Sequence, residues 1–332
     1  MEDCAIQSIE AEENFTNTVP LKKKAPFFNR KRSALIFYIS MVTVPVIQFI
    51  LMYICVNFNS ILLSFKTYED GSKYVFSEDL FCNFREVFSD LGKPLFKYSI
   101  KNSLLVFVVV LLVNIPLSLF FSYYIFKECI GNKFFRIALY LPNIVSSIVM
   151  VTIFSYVFDK AIPDLAYKIT GLKKGTGEGW IFKPLLTTPD TTFWCLLIFT
   201  TLFSFGSITL VFSSSMSSVN TSVIEAAILD GCNKLQEFIY IIFPLCFNVI
   251  KLQLLAALVG IFTNQLNLYT FFGLDARPKQ YTIGYYLYRG TLAGGPSVYP
   301  YFAAMGLVLT AVAVPVILSI RRVFEHFDPY NS

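Results

Sequence analysis

The sequence is poor in charge and in the residues that most enzymes use for chemistry. Asp, Glu, Lys and Arg make up only 15% of the 332 residues, against about 25% in ordinary soluble domains. The single histidine, His326, lies outside the apolar part of the chain, which excludes a histidine metal site there and argues against a Ser-His-Asp triad. No Gly-x-x-x-x-Gly-Lys-Ser/Thr loop is present, so the chain itself does not cradle ATP phosphates.

Apolar residues take the place of the missing charge. The types Ala, Val, Ile, Leu, Met, Phe, Trp, Tyr and Cys make up 55% of the chain, with 35 Phe and 19 Tyr, and the mean hydropathy is +0.60. A soluble domain of this size needs far more polar surface, so the composition excludes a cytosolic globular enzyme, a disordered chain and a disulfide scaffold. The net charge of +5 is modest, and we expect no nucleic-acid partner.

Six stretches without charge are long enough to cross a membrane. About 20 apolar residues in a helix span the roughly 30 Å hydrocarbon core, and a helix satisfies its own backbone groups in lipid. We therefore predict an all-α integral membrane protein with six transmembrane helices, at about 34–57, 102–126, 137–158, 191–213, 250–272 and 298–320. The charge-free stretches hold no Asp, Glu, Lys or Arg, which argues against a proton-coupled carrier. Any energy source is therefore expected on another chain.

Basic residues predict the orientation of these spans. They cluster at 22–32, directly before the first span, and such clusters mark the cytoplasmic side. With six spans, both termini are predicted to be cytoplasmic. The predicted organisation is a tail at 1–33, a transmembrane domain at 34–320 and a second tail at 321–332.

Three connections are predicted on the outer side. They lie at about 58–101, where we expect a short ordered cap, at 159–190, where glycines indicate a flexible stretch, and at 273–297. Cys82 is the one cysteine that this topology places outside, whereas Cys232 is placed inside.

The segment between the fourth and fifth spans carries the most specific pattern. Residues 225–230 predict a short helix, and Gly231 can end it in the left-handed conformation because it has no Cβ. Ala226 and Ala227 are small, so the helix can approach another surface closely. A second amphipathic turn runs through Phe238, and Pro244 opens the next span. The alternative interpretation is a helical loop that only caps the bundle.

This segment resembles the E-A-A-x-x-D-G-A motif of the membrane subunits of binding-protein-dependent ABC importers. Seven positions match in register, namely Glu225, Ala226, Ala227, Asp230, Gly231, Phe238 and Pro244. Cys232 stands where that family usually has Ala. From about 35 to 325 the chain is similar to the sugar-type, maltose-permease-like branch. The landmarks that carry this similarity are NFNSILLSFK at 57–66, Asn83-Phe84, Asn102-Ser103-Leu104 and RIALYLP at 136–142.

The resemblance implies the type I ABC importer permease fold and a division of labour among several chains. A cytoplasmic coupling loop at about 214–247 would dock on a separate ATPase through the E-A-A motif. ATP and Mg would be bound by that ATPase, so neither a cofactor nor a catalytic residue is expected on this chain. The implied partners are a second homologous permease, two ATP-binding cassette subunits, an extracytoplasmic solute-binding protein, membrane lipid and a carbohydrate solute.

Polar side chains in the fourth and fifth spans are candidates for the solute path. An unpaired amide is costly to bury in hydrocarbon, so these residues are expected to face the interior of the bundle. The candidates are Ser204, Ser207, Asn264, Gln265, Asn267 and Tyr269. By resemblance, IFTNQLNLY at 261–269 lines up with the stretch that lines the sugar site of maltose-type permeases, and Asn264 matches a polar contact. Helix–helix hydrogen bonding by the same groups is the alternative. Val110 in the second span is expected to face lipid.

The sequence therefore predicts a permease subunit of an ATP-driven importer for a carbohydrate, such as an oligosaccharide or sugar derivative, in a bacterial cytoplasmic membrane. A stand-alone secondary carrier or channel for a small polar solute is the alternative. A membrane receptor or structural subunit is a third possibility. The E-A-A motif discriminates against both, because neither needs a dock for an ATPase.

Overall fold

The computed structural model describes residues 30–69, 71, 73–171 and 183–326. Most of the basic cluster at 22–32, and the glycine-rich stretch beyond Gly171, lie outside the described residues. The chain divides into two units, Met1–Asn59 and Ser60–Ser332.

One long apolar helix accounts for the described part of the first unit and continues into the second. It comprises α1 (Arg30–Gln48), a π-helical turn (Phe49–Cys55) and α2 (Val56–Leu63). Pro45 lies inside α1 and cannot donate a backbone hydrogen bond to the preceding turn. The wide π turn follows directly after this interruption, and the first predicted span is confirmed as a helix from Ala34 to Leu63.

The connection after this helix is ordered, as predicted, but it is not wholly helical. Strands β1 (Lys66–Glu69) and β2 (Lys73–Phe76) form an antiparallel hairpin, which corrects the all-α prediction at this point. Helix α3 (Cys82–Asp90) follows. The buried Asn83 amide donates to the carbonyls of Ser64, at 2.8 Å, and Lys66, at 2.9 Å. The Asn-Phe landmark thus fastens the start of α3 to the end of the first span.

Three further helices are long and apolar enough to span a membrane. One combines α4 (Pro94–Val109), a π turn (Val110–Asn114) and α5 (Ile115–Phe126). The others are α9 (Pro189–Ser217) and α16 (Tyr299–His326). The helices predicted at 102–126, 191–213 and 298–320 are confirmed, and each is longer than predicted.

The third predicted span is bent. Helix α6 (Asn132–Ile144) meets the helical stretch that begins with α7 (Ser147–Tyr156) at 107°, so the helix predicted at 137–158 is broken near Val145. The backbone is extended at Val145 (ψ 142°) and at Ser146 (ψ 138°). After α7 the chain passes through a π turn (Val157–Ala161) and helix α8 (Ile162–Thr170).

The fifth predicted span is also interrupted. The helices between the fourth and last spans are α10 (Thr221–Leu229), α11 (Lys234–Glu237), a π turn (Phe238–Ile242), α12 (Phe243–Leu245), α13 (Phe247–Thr263), α14 (Leu268–Phe272) and α15 (Ile283–Gly294). A bend of 69° separates Leu245 from Phe247. The helix predicted at 250–272 ends at Thr263. Its predicted second half is instead a non-helical break at 264–267 followed by the short helix α14. The described chain therefore has four continuous candidate spans, or six if each bent pair counts as one.

Small and hydroxyl side chains hold the central helices close together. The Ser122 hydroxyl of α5 donates to the carbonyl of Thr209 in α9 at 2.8 Å. A Cβ at Gly206 would collide with the carbonyl of Leu139 in α6. Close approach through small residues is typical of membrane helix packing, and it makes α9 the helix against which both α5 and α6 are placed.

Candidate functional site

The E-A-A segment, residues 220–244, folds as two short helices joined by a left-handed turn. The side chain of Asn220 caps α10 by accepting from the backbone N–H of Ser222 at 3.0 Å. At the other end the N–H of Gly231 donates to Ile228, and that of Cys232 donates to Ala227. Gly231 has φ +81°. These bonds form a Schellman motif, which is the helix stop that the sequence predicts at Gly231.

Helix α10 has one buried face and one exposed apolar face. Ala227 is buried against its own chain, as is Ile224. Ala226 and Glu225 are exposed. Leu229 is 88% exposed. Of the two small residues predicted to allow close approach, Ala227 therefore faces inward and Ala226 faces outward.

The exposed apolar surface continues across both short helices. Its members are Val223, Ile228, Leu229 and Leu235. These four side chains expose apolar surface on both short helices, and large exposed apolar patches mark sites of contact with a protein or a membrane.

The second half of the segment attaches to α5. Asn233 and Gln236 form a reciprocal capping box that begins α11. The rings of Phe238 and Tyr123 lie 4.9 Å apart, and the Tyr123 hydroxyl donates to the carbonyl of Lys234 at 2.9 Å. Pro244 lies in α12, directly before the bend at Cys246.

A buried ion pair joins the same two elements. Lys127, at the end of α5, places its Nζ 2.6 Å from Oε1 of Glu237, and the Glu237 side chain is only 3% exposed. The contact has the distance of an ion pair without the geometry of a hydrogen bond. The sequence analysis did not identify this pair, because its members are far apart in the chain.

A cavity of about 380 Å³ lies between the second span, α9 and α13. Its polar lining comprises Asn114, Ser204, Ser207, Gln253 and Asn264. This volume is within the range of small-molecule sites. Uncharged amides and hydroxyls can hydrogen-bond a neutral polar solute without the cost of burying a charge in the membrane.

Three of the six predicted path residues line this cavity. They are Ser204, Ser207 and Asn264. The Ser207 hydroxyl is also 2.8 Å from Oδ1 of Asn143 in α6, so it takes part in the helix–helix bonding that the alternative interpretation proposes. The cavity adjoins Val110 as well, so the expectation that Val110 faces lipid is wrong.

The chain is non-helical where the cavity meets α13. Leu266 and Asn267 both have left-handed backbones, with φ values of 52° and 54°. Such residues carry strain of order 1–3 kcal/mol each. The side chain of Asn264 accepts from the N–H of Leu266 at 2.8 Å, and the Thr282 hydroxyl donates to the carbonyl of Asn264 at 2.7 Å. Irregular backbone at membrane depth is tolerated where it lines a cavity or is buried in protein, and this break does both.

The other three predicted residues do not line the cavity. Asn267 reaches Thr200 of α9 at 3.5 Å. Tyr269 packs edge-on against Tyr288, with ring centroids 5.0 Å apart. Gln265 lies in the non-helical break, before both of these residues in the chain. The structure thus brings half of the predicted set together around one cavity.

Asn114 and Gln253 are lining residues that the sequence analysis missed. Asn114 is fully buried in the π turn of the second span, and its Nδ2 has no hydrogen-bond partner among the described residues. An unpaired buried donor costs about 1–3 kcal/mol. Both residues are single amides with apolar neighbours, whereas Asn264 stands in a cluster of polar residues at 263–267.

On the predicted outer side, Asp90 links α3 to the last span. Tyr301 donates to Oδ2 of Asp90 at 2.9 Å, and Lys93 pairs with Oδ1 at 2.6 Å. Burial raises the pKa of the Asp90 carboxyl, but bonding to Lys93 and then to Tyr301 outweighs it, so that the net pKa is lowered. The described residues contain no group of three or more His, Cys, Asp or Glu that could hold a metal ion.

Comparison with known families gives one match that covers more than half of the chain. Residues 114–330 match the family described as "Binding-protein-dependent transport system inner membrane component". The matched region contains the E-A-A segment and the polar lining of the cavity.

Several curated proteins are similar in sequence. The "Probable starch degradation products transport system permease protein AmyD" of Thermoanaerobacterium thermosulfurigenes is 28% identical over 136 residues, which are 41% of this chain and 44% of that protein. The "Probable ABC transporter permease protein YesP" of Bacillus subtilis is 25% identical over 282 residues, which are 82% of this chain and 85% of that protein. The "Arabinooligosaccharides transport system permease protein AraP" of the same species is 26% identical over 234 residues, which are 70% of this chain and 72% of that protein.

The fold is similar to that of a solved transporter. A chain from the crystal structure of a bacterial ABC transporter involved in the import of the acidic polysaccharide alginate superposes with a TM-score of 0.67. It is 21% identical, and the match covers 89% of this chain and 96% of that one. A second structure shows a bacterial alginate ABC transporter in complex with a periplasmic protein that carries an alginate pentasaccharide. Its matching chain gives a TM-score of 0.66 at 20% identity, and the match covers 90% of this chain and 95% of that one. At these identities the likeness shows the fold.

Proposed function

Because the chain belongs to the family of binding-protein-dependent transport system inner membrane components, we propose that it is the membrane permease subunit of an ATP-driven importer for a neutral oligosaccharide. The names of two relatives refer to starch degradation products and to arabinooligosaccharides, which supports a carbohydrate as the transported solute. The uncharged lining of the cavity supports a solute without charge.

The observation that carries the proposal is the exposed apolar face of α10. A permease that binds no ATP must receive mechanical work through a contact with an ATPase. Leu229 at 88% exposure, with Ile228 beside it, provides the apolar surface that such a contact needs. We propose that two ATPase subunits bind ATP and Mg, that each docks on one permease, and that a second, related permease completes the pathway.

In the proposed cycle, a binding protein delivers the sugar to the outer side, and closure of the ATPase subunits moves the E-A-A segment. The cavity would then open in turn to the outer and the cytoplasmic side. Asn264 and Ser204 would hydrogen-bond sugar hydroxyls in this cavity, and the non-helical break would let the backbone near Asn264 change its path. These roles in solute binding are part of the proposal.

The docking surface can be tested with two matched substitutions. Leu229→Asp puts a charge on the exposed face of α10. Ile130→Asp does the same at a residue that is 95% exposed but outside the E-A-A segment. When the chain is co-expressed with its cognate ATP-binding subunit, Leu229→Asp is expected to release the ATPase and Ile130→Asp to retain it. Retention by both variants, or release by both, would contradict the proposed dock.

The solute path can be tested at Asn264. Asn264→Ala removes an amide from the cavity, whereas Leu112→Ala changes an exposed apolar residue of the second span. Uptake of labelled maltotriose and arabinotriose is expected to fall in Asn264→Ala and to persist in Leu112→Ala, with basal ATP hydrolysis kept in both. Unchanged uptake in Asn264→Ala would show that its amide serves only the helix break.

A further inference from the structure

The Lys127–Glu237 pair occupies the junction between the E-A-A segment and the second span. Glu237 is 2% exposed, although the other three residues of its short helix are exposed. Removing a carboxylate from water is costly unless a countercharge lies close by, and the Nζ of Lys127 supplies it at 2.6 Å. A buried pair in this position constrains where the segment can lie relative to α5.

Aromatic rings and a hydrogen bond surround the pair. The Lys127 ammonium lies 5.9 Å from the ring centroid of Tyr123 and 5.8 Å from that of Phe126. Tyr123 also packs on Phe238 and donates to the carbonyl of Lys234. The segment is therefore attached to α5 on both sides of Glu237.

Helix α5 connects this junction to the cavity. From Lys127 back to Asn114 the helix rises by about 20 Å, at roughly 1.5 Å per residue. Asn114 and Ile115, at the other end of α5, line the cavity. The Ser122 bond to Thr209 keeps α5 and α9 in register between these points. Helix α5 is therefore a continuous connection between the E-A-A segment and the lining of the cavity.

We propose that Lys127 and Glu237 are positioning residues that transmit movement of the E-A-A segment to α5 and so couple ATP hydrolysis to opening of the cavity. This inference rests on the proposed function. A charge pair suits such a junction because its attraction is lost when the two ends slide apart, whereas apolar side chains tolerate sliding. The pair is needed for tight coupling, and docking of the ATPase needs only the exposed face of α10.

The test replaces the pair without leaving a buried charge unpaired. Single variants such as Glu237→Gln leave Lys127 without its countercharge and are expected to lower stability. The informative variant is Lys127→Met with Glu237→Leu, since apolar replacement of both partners is often neutral for stability. The exchanged pair, Lys127→Glu with Glu237→Lys, restores the attraction in the opposite sense. Arg321→Met with Glu325→Leu is the matched control, because it removes an exposed ion pair of 2.7 Å within a single helix.

Each variant complex is reconstituted in vesicles with both permeases and the ATPase, and maltotriose uptake per ATP hydrolysed is measured with the binding protein outside. The apolar double variant is expected to keep its ATPase and its hydrolysis but to lose at least about three-fold in uptake per ATP, the scale of known coupling changes. The exchanged pair is expected to recover a large part of the loss, and the control to match the unmodified complex.

Unchanged uptake per ATP in the apolar double variant would overturn the inference. Equal loss of uptake and ATPase binding in the double variant and the exchanged pair would also overturn it, because the pair would then only maintain the fold. The unmodified complex separates these outcomes from the proposed function. If it shows no ATP-dependent uptake of any sugar tested, the proposed function fails, whatever the variants do.

Discussion

The left-handed turn at Gly231 gives the sharpest prediction about the docking surface. Its φ of +81° lies in the region that side chains with a Cβ avoid, yet a Cβ placed there would meet no heavy atom within 4 Å. Substitution at Gly231 therefore changes backbone preference without a steric clash. This allows conformational strain to be separated from packing.

The expected cost follows from backbone energetics. An L-residue in the left-handed helical region costs about 1–2 kcal/mol, but Asn tolerates this region better than most residues do. Gly231→Ala should therefore lower the equilibrium constant for forming the docking-competent turn by about five- to thirty-fold. Gly231→Asn should lower it by less. Gly231→Asp has the shape of Asn, but it adds a charge beside the exposed Asp230, where an unpaired charge is expensive to desolvate at a contact.

The assay is titration of purified ATPase onto the permease complex in lipid nanodiscs, followed by solute-stimulated ATP hydrolysis. The unmodified chain is expected to bind the ATPase most tightly, Gly231→Asn less tightly and Gly231→Ala less tightly again. Gly231→Asp is expected to lose both docking and stimulated hydrolysis. The spans should still insert in all variants. Binding of the ATPase by Gly231→Ala and Gly231→Asp as tightly as by the unmodified chain would refute this prediction. Equal affinity of Gly231→Asn and Gly231→Ala would refute it as well.

Three further predictions concern topology, the cavity and the outer side. In intact cells, an impermeant thiol reagent should label a variant whose sole cysteine is Cys82 and should not label one that keeps only Cys232; labelling of Cys232 from outside would reverse the topology. Asn114→Leu should leave thermal stability equal or higher, because it removes an unpaired buried amide, while sugar uptake falls; unchanged uptake would mean that the amide does not serve the solute. The lowered pKa of Asp90 gives stability that is present above its unfolded pKa of about 3.9 and is lost as pH falls through the folded value. Asp90→Asn should therefore flatten the acid side of the melting-temperature profile in detergent, and a profile of unchanged slope would contradict this contribution.

The sequence was sufficient for those features whose cause is local. Charge-free runs identify the spans because the length and polarity of a membrane helix are set by the bilayer. The stop at Gly231 follows from its missing Cβ, and the structure has the left-handed turn that this predicts. Amides inside an apolar stretch, such as Asn264, indicate a polar cavity because hydrocarbon offers them no partner.

Features that depend on distant parts of the chain could not be predicted in this way. The bend at Val145 follows Pro142, which predicts a kink but not its size, and it accompanies the close crossing of α6 over Gly206. The helix break after Thr263 receives a hydrogen bond from Thr282, which belongs to a later segment. Tertiary contacts override helix propensity in both places. The Lys127–Glu237 pair likewise joins two segments that have no local pattern in common.

The central claim is that this chain moves a carbohydrate only when an ATPase works through its E-A-A segment. The most direct measurement is uptake of labelled maltotriose and arabinotriose into vesicles that hold this chain, its partner permease and the ATPase, with the binding protein outside and ATP inside. Uptake is expected to require ATP, the binding protein and an unmodified Leu229. Uptake at the same rate without ATP or without the ATPase would contradict it and would favour a stand-alone carrier or channel.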